Sequence, residues 1–397
     1  MSLLATFKVS ENTPMKHHVF FILFGIFIVG CATPGFHPSQ EESAFKGNEL
    51  TLIERAEKEQ AILEEGGLIY EDRELEDYLN DIVKRLSPPT IQSQATPTVK
   101  VIKDPNLNAF VFPNGVIHVH TGILARLDNE AQLAALLAHE MIHHLKRHPF
   151  KAFGVFDRNR DIEKSQGGLK DLLNGLGATL YVAAMAGYAQ ALETEADVEG
   201  MALVSAAGYD PREAIRLFGH LKREVKTEGF KEPLFFGFHP RLDKRIENCE
   251  NFLIMRHQTD NKGFLNQDVF LEKTREVVLV NAFLDLKAGR YDSARRSAKK
   301  YLNLKENDAR VYYLLGEIFK HKGATPERNK MISFYEKAIS VDPIYPEPYR
   351  AIGLLHYKNE KWDLAKKAFE SYLSLSPHIH DKEYILAYIQ KCQIEGV

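Results

Sequence analysis

Cysteine, excess charge and long apolar runs are all scarce in this chain of 397 residues. Three cysteines allow one disulfide at most. Lys and Arg number 51 against 54 Asp and Glu, a net charge of −3, so there is no basic field to attract a polyanion. Nucleic acid is therefore not expected as a partner. The apolar run Val19–Val29 is too short for a comfortable membrane span. Leu172–Leu192 lacks charge for 21 residues but contains Asn174, Gly175, Gly177, Gly187 and Gln190. A buried helix is the expectation for it, and a membrane-dipping segment the alternative. The composition, 44% hydrophobic and 26% charged, is that of an ordinary globular protein, and the length suits two or three domains.

The N-terminus reads as an export segment. Met15-Lys16-His17-His18 opens a short basic region, and the apolar run ends in Ile28-Val29-Gly30-Cys31, which resembles a bacterial lipobox. Residues 1–30 are read as a signal peptide, with Met15 as a candidate true start because residues 2–14 fit no signal region. Cys31 would then be the lipidated first residue of the mature chain, and 31–47 a tether rich in Pro, Gly, Ser and Glu. Ala32, rather than Asp, after the lipidated position implies sorting to the outer membrane in a Gram-negative cell. The expected location is the periplasmic face of that membrane. Lipidation leaves Cys249 and Cys392, for which a disulfide or two buried thiols are the alternatives.

What is present is a metal-ligand pattern. His139-Glu140-Met141-Ile142-His143 reads H-E-x-x-H and follows 129–138, a stretch without Gly or Pro. Leu133, Leu136, Leu137 and Ile142 recur at helical spacing, and Asp128 and Asn129 are available as N-caps. On a helix, positions i and i+4 share a face, so both imidazoles reach one ion. Glu140 lies beside His139, where a carboxylate can take a proton from a water activated by one Zn²⁺ per chain. A third ligand is needed. The acidic run from Glu193 to Glu199 offers two i,i+4 pairs, Glu193 with Asp197 and Glu195 with Glu199, and spacing alone does not choose between them.

Together with Glu193-x-x-x-Asp197 and Gly208-Tyr209-Asp210-Pro211, the motif resembles the metallopeptidase family of HtpX and the CAAX prenyl endopeptidases. Asn108-Ala109-Phe110, the segment Gly115–Leu124, and His239-Pro240 with Arg245-Ile246 resemble further marks of that family. The resemblance covers roughly residues 50 to 255. It implies His139, His143 and Glu193 as zinc ligands, Asp197 and Arg245 as their supports, and Glu140 as the catalytic base. It also implies His239 as a second catalytic candidate, either filling the open metal position at rest or binding the transition state.

Around the motif, Leu50–Glu65 and Asp72–Leu86 read as amphipathic helices, and Val99–Val101, Ala109–Phe112 and Val116–Val119 as strands. Pro113-Asn114-Gly115 is a hairpin turn signal. A strand edge near the metal offers extended substrate main-chain pairing without sequence demands. His118 and His120 alternate with Val119 and are read as strand histidines rather than ligands.

The C-terminal third repeats itself. Ala282, Gly289, Tyr291 and Ala294 are echoed by Gly316, Gly323, Tyr335 and Ala338, then by Gly353, Tyr357, Trp362, Ala365 and Phe369. Pro343 and Pro377 stand 34 residues apart, close to the tetratricopeptide period, with three extra residues around 324–329. About three such repeats and a capping helix over Asp381–Ile394 would leave a groove for a protein partner. The fold class expected is α+β and mostly helical. A zincin-type metallopeptidase domain with a small antiparallel hairpin or sheet spans 48–257, and an all-α repeat solenoid spans 267–397. Peptidase, repeats and export signal together resemble the periplasmic barrel-assembly-enhancing proteases. This implies unfolded or misassembled envelope proteins as substrates, a protein partner in the repeat groove, and membrane attachment through lipid. The rivals are a repeat-based chaperone or adaptor with a latent protease, and an integral membrane protease.

Overall fold

The computed structural model describes residues 47–89, 96–151, 188–228, 242–256, 262–322, 325–376 and 380–396. Cys31, His239 and most of Leu172–Leu192 lie outside them. The first described elements are α1 (Gly47–Glu65) and α2 (Arg73–Leu86). Asp72 starts α2 by accepting the Leu75 N–H at 3.0 Å, and Leu75, Leu79, Ile82, Val83 and Leu86 form its buried stripe.

Three strands follow, β1 (Thr98–Ile102), β2 (Ala109–Val111) and β3 (Val116–His120), in the order β1-β3-β2. The expected hairpin is there. β2 and β3 pair antiparallel from Ala109↔Val119 to Val111↔Ile117, across a turn in which Gly115 has φ +85° and Phe112 N–H donates to Val116 O. β1 joins the other side of β3 in parallel, Thr98↔Val116 to Ile102↔His120, so the sheet is mixed rather than all-antiparallel. The reason is topological: the chain reverses once between β1 and β2 and again in the hairpin, so β3 returns along β1. Every residue of β3 is buried, as expected for a central strand covered on both faces.

β3 runs into the short α3 (Thr121–Leu124) and then α4 (Glu130–Leu145). α4 is buried on all sides from Glu130 to His143. Against it lie α5 (Gln190–Ala206) and α6 (Arg212–Glu228), with α7 (Leu242–Met255) packed on both. Gly200 sets the α4–α5 approach. A Cβ there would fall 3.2 Å from the His139 backbone nitrogen and 3.4 Å from Ala138 C, so only glycine admits this contact without shifting backbone.

Among the described residues seven more helices follow: α8 (Gln267–Lys287), α9 (Tyr291–Leu304), α10 (Ala309–Lys322), α11 (Thr325–Val341), α12 (Glu347–Lys358), α13 (Trp362–Leu375) and α14 (Lys382–Glu395). They pack as successive pairs, α8 with α9, α10 with α11 and α12 with α13, and α14 covers α13. A side chain at Gly316 would collide with Tyr335, and one at Gly353 with Phe369, so small residues face aromatics in consecutive pairs. The first pair is not a free module. Arg126, buried just after α3, donates to Asp285 (3.0 Å) and Ser293 (2.7 Å) of that pair and to Glu224 of α6 (3.1 Å). Thr121 donates to Asn281, and Lys300 to the carbonyls of Ala125 and Leu127. Burial lowers the Lys300 pKa to about 8. Both remaining cysteines are buried free thiols, so the disulfide alternative fails. Among the described residues no helix is long and apolar enough to cross a membrane.

His118 and His120 are fully buried core residues of β3. The His118 ring stacks on Phe110 (centroids 5.0 Å, 20° between planes) and lies 4.6 Å from Phe112. Burial, with the neighbouring His120, pushes its pKa down to about 3. The folded chain thus keeps His118 neutral where the unfolded chain, titrating near 6.5, takes up a proton. The resulting stability is complete above pH 6.5 and is lost as pH falls from 6.5 towards 3. Two units of pH below 6.5 correspond to about 2–3 kcal/mol from this ring. Denaturant unfolding of His118→Leu at pH 7 and pH 4.5 should show that much less acid destabilisation than the parent. An equal loss in both would contradict the assignment.

Candidate metal centre

α4 is held at its start. The Asn129 side chain accepts the Gln132 N–H at 2.9 Å, and Asn129 and Gln132 amides both donate to Glu213 at 2.9 Å. Glu130 accepts from Tyr78, Arg85, Tyr209 and Asn266. A helix fixed at this end places His139 and His143 one above the other, ring centroids 4.6 Å apart.

Glu193 enters from the first turn of α5, fully buried. The two histidine Nε2 atoms are 3.0 Å apart, His139 Nε2 is 3.3 Å from Glu193 Oε2, and His143 Nε2 is 3.5 Å from Glu193 Oε1. Tetrahedral ligands bound at roughly 2.0–2.1 Å stand about 3.3 Å from one another, so these three separations bracket what a zinc site requires. Two neutral imidazoles and a carboxylate are also the donor types zinc accepts. Among the described residues this is the one cluster of three or more His, Cys, Asp and Glu side chains close enough to share an ion.

Behind His139 lies Asp197, its Oδ1 at 3.1 Å from His139 Nδ1. Arg245 of α7, fully buried, donates Nε and Nη2 to that carboxylate at 2.9 and 2.8 Å, and Asn248 donates at 3.2 Å. The Arg245 guanidinium packs over Phe218, 4.2 Å from the ring centre, and touches His139 Nδ1 at 2.8 Å. Burial works against the Asp197 charge, but Arg245 and His139 outweigh it and hold the pKa below the usual carboxylate range. Burial and Arg245 push His139 down, while hydrogen bonds to Asp197 and Glu193 carry its pKa up to about 9. A metal ion bound by this ring would compete with a proton for it.

The two acidic pairs meet different partners. Glu193 and Asp197 turn inward. Glu195 and Glu199 turn to Lys146, at 3.2 and 2.6 Å. His139, His143, Glu193, Asp197 and Arg245 come together, and Glu140 is buried on the same helix as the two histidines. Two neighbours were not foreseen. Tyr188 stacks on His143 (centroids 4.0 Å, 19°), and burial, Glu140 and Glu193 raise its pKa. His148 is fully buried with Nδ1 2.8 Å from His143 Nδ1, and burial and Lys151 lower its pKa.

Comparison with known proteins agrees with this geometry. The profile of peptidase family M48 matches residues 73–252, from α2 to α7. This stretch is a peptidase family M48 domain. The chain is 33% identical over 184 residues to the mitochondrial metalloendopeptidase OMA1 of Schizosaccharomyces pombe, covering 44% of the chain and 52% of that protein. It is 26% identical over 194 residues to the putative beta-barrel assembly-enhancing protease of Vibrio cholerae, covering 45% and 39%. For the beta-barrel assembly-enhancing protease of Escherichia coli K12 the values are 24% over 221 residues, 52% and 44%. The chain thus spans about half the length of these relatives, or less. The matched stretch contains His139, Glu140, His143, Glu193, Asp197 and Arg245.

Substitution separates the two acidic pairs. Glu193→Ala should abolish stoichiometric zinc, Glu195→Ala should retain it, and Asp197→Ala should bind about 10–100-fold more weakly. Metal content of the purified variants by atomic absorption is the check. Zinc kept by Glu193→Ala and lost by Glu195→Ala would reverse the assignment.

Proposed function

We propose that this chain is a zinc-dependent endopeptidase of the bacterial cell envelope that degrades misfolded or misassembled envelope proteins. The observation behind the reading is the buried convergence of His139, His143 and Glu193 inside an M48 domain. These three would hold the zinc, which supplies Lewis acidity and a water of lowered pKa when bound. The rest belongs to the chain. Glu140 accepts a proton from the attacking water and returns it to the leaving amine. Asp197, fixed by Arg245, orients His139. The outer strand β2 lies against α4 and suits main-chain pairing with an extended polypeptide. His239 remains the candidate for the open metal position or for the transition state.

The paired helices α8–α14 are read as tetratricopeptide repeats with a cap, presenting a groove to a protein partner. Their small-against-aromatic packing supports this. Their hydrogen-bonded seat on α3 and α6 fits a protease that receives substrates or signals through them. Cys31 is read as the lipid anchor on the periplasmic face of the outer membrane, on the strength of Val29-Gly30-Cys31 at the end of the apolar run. Intact-mass measurement of the mature protein should find acylated Cys31 at its N-terminus. An unmodified mature chain refutes that part of the reading.

The activity itself is tested by Glu140→Gln. The variant should keep its zinc and its fold, because Gln is nearly isosteric and residue 140 is not a ligand. Cleavage of an unfolded protein should drop by at least about 10²–10⁴-fold. Residual cleavage within about tenfold of the parent would contradict the role of Glu140 and favour a repeat-based chaperone.

A further inference from the structure

His143 has two ring nitrogens, and the metal reading uses one. Nε2 faces His139 and Glu193, and Nδ1 faces His148 Nδ1 at 2.8 Å. His148 Nε2 in turn meets Glu195 Oε2 at 3.3 Å. The other Glu195 oxygen meets the Lys146 ammonium at 3.2 Å, and Lys146 also holds Glu199. Three side chains, His143, His148 and Glu195, thus form one line from the interior of the site to a half-buried carboxylate, and Lys146 pairs with its outer end.

The backbone is bent to make this line. His148 is five residues after His143, which is not a same-face spacing on a helix. α4 ends at Leu145, and Arg147 has φ +60°, the left-handed region that a residue with a Cβ rarely adopts. That turn carries His148 back beneath His143. Arg147 is held there by an ion pair with Glu49 of α1 and by the Phe150 ring at 5.4 Å. Strain of this kind persists where surrounding contacts impose it, and it clusters at functional sites.

Building on the zinc reading, we propose that His148 and Glu195 are positioning residues that fix the ring orientation and tautomer of His143. Proton placement follows without choice. A His143 that gives its Nε2 lone pair to a metal carries its proton on Nδ1 and donates it to His148 Nδ1. His148 must accept there, so its own proton sits on Nε2 and is donated to Glu195. A metal-ligating histidine usually gives its second N–H to a carboxylate, carbonyl or water, which fixes the ring and raises its basicity. His139 has that partner directly in Asp197. His143 reaches its carboxylate through a second imidazole. Glu195, excluded as a ligand by its direction, is the outer end of this chain.

The test is zinc affinity, measured on the full chain by competition with a chromogenic chelator. His148→Phe keeps a ring in place but removes the acceptor, and should weaken zinc about 10–100-fold. His148→Asn retains an acceptor near the Nδ1 position and should recover affinity to within about threefold of the parent. Glu195→Ala should keep stoichiometric zinc yet bind it several-fold more weakly. Glu199→Ala, which removes the other partner of Lys146, should have no effect. In a His148→Phe background, Glu195→Ala should cost nothing more, because the link between them is already gone. The Glu195 and Glu199 pair tests the chain from the solvent side without altering the buried ring, should His148→Phe not fold. Parental affinity in Glu195→Ala, or equal weakening by Glu195→Ala in both backgrounds, would overturn the proposal. A parent chain that takes up no zinc would overturn the metal reading and this one with it.

Discussion

Two imidazoles and two carboxylates are buried together where α4 and α5 cross, and the surrounding structure answers to that concentration of charge. A buried carboxylate is tolerated only with partners. Asp197 receives a fully buried arginine from α7, and that arginine rests on the Phe218 face of α6. One ion pair therefore ties three helices to His139. Gly200 allows the backbones to close to the distance this pairing needs. Glu193 faces both histidines, which is where a cation belongs.

The same logic governs the seat of the helical pairs. Arg126 is buried with Asp285, Glu224 and Ser293, so removing its partners would leave a charge in the interior. The first pair is therefore joined to the M48 domain by a polar network as well as by apolar packing, in which Ala125 sits among residues of α8 to α10. Asn129, three residues beyond Arg126, is the cap of α4. The distance in sequence from this interface to the start of the helix that carries H-E-x-x-H is thus very short. Anything that bound α8–α14 would act on a body fixed to that helix.

The sequence was most informative where chemistry depends on local spacing. H-E-x-x-H specifies its own geometry on any helix, and the cap at Asn129 and the turn at Gly115 follow from residue type. The mixed sheet was not legible, because strand order is a matter of long-range pairing. Nor was the choice between Glu193 and Glu195 available from spacing, since both pairs obey the i,i+4 rule and differ only in which side of α5 meets α4. The family resemblance chose Glu193, and the inward direction of that side chain is consistent with it. His148 escaped notice because its place depends on a left-handed arginine, which no residue preference announces. The Arg126 network joins residues 98 and 159 positions apart and leaves no local trace.

Anomalous diffraction at the zinc edge, on crystals grown with zinc, tests the central claim most directly. The account predicts one peak within about 2.0–2.2 Å of Nε2 of His139, Nε2 of His143 and a carboxylate oxygen of Glu193. A peak on Glu195 and Glu199 instead, or no peak and His139 still paired with Glu193, would contradict it.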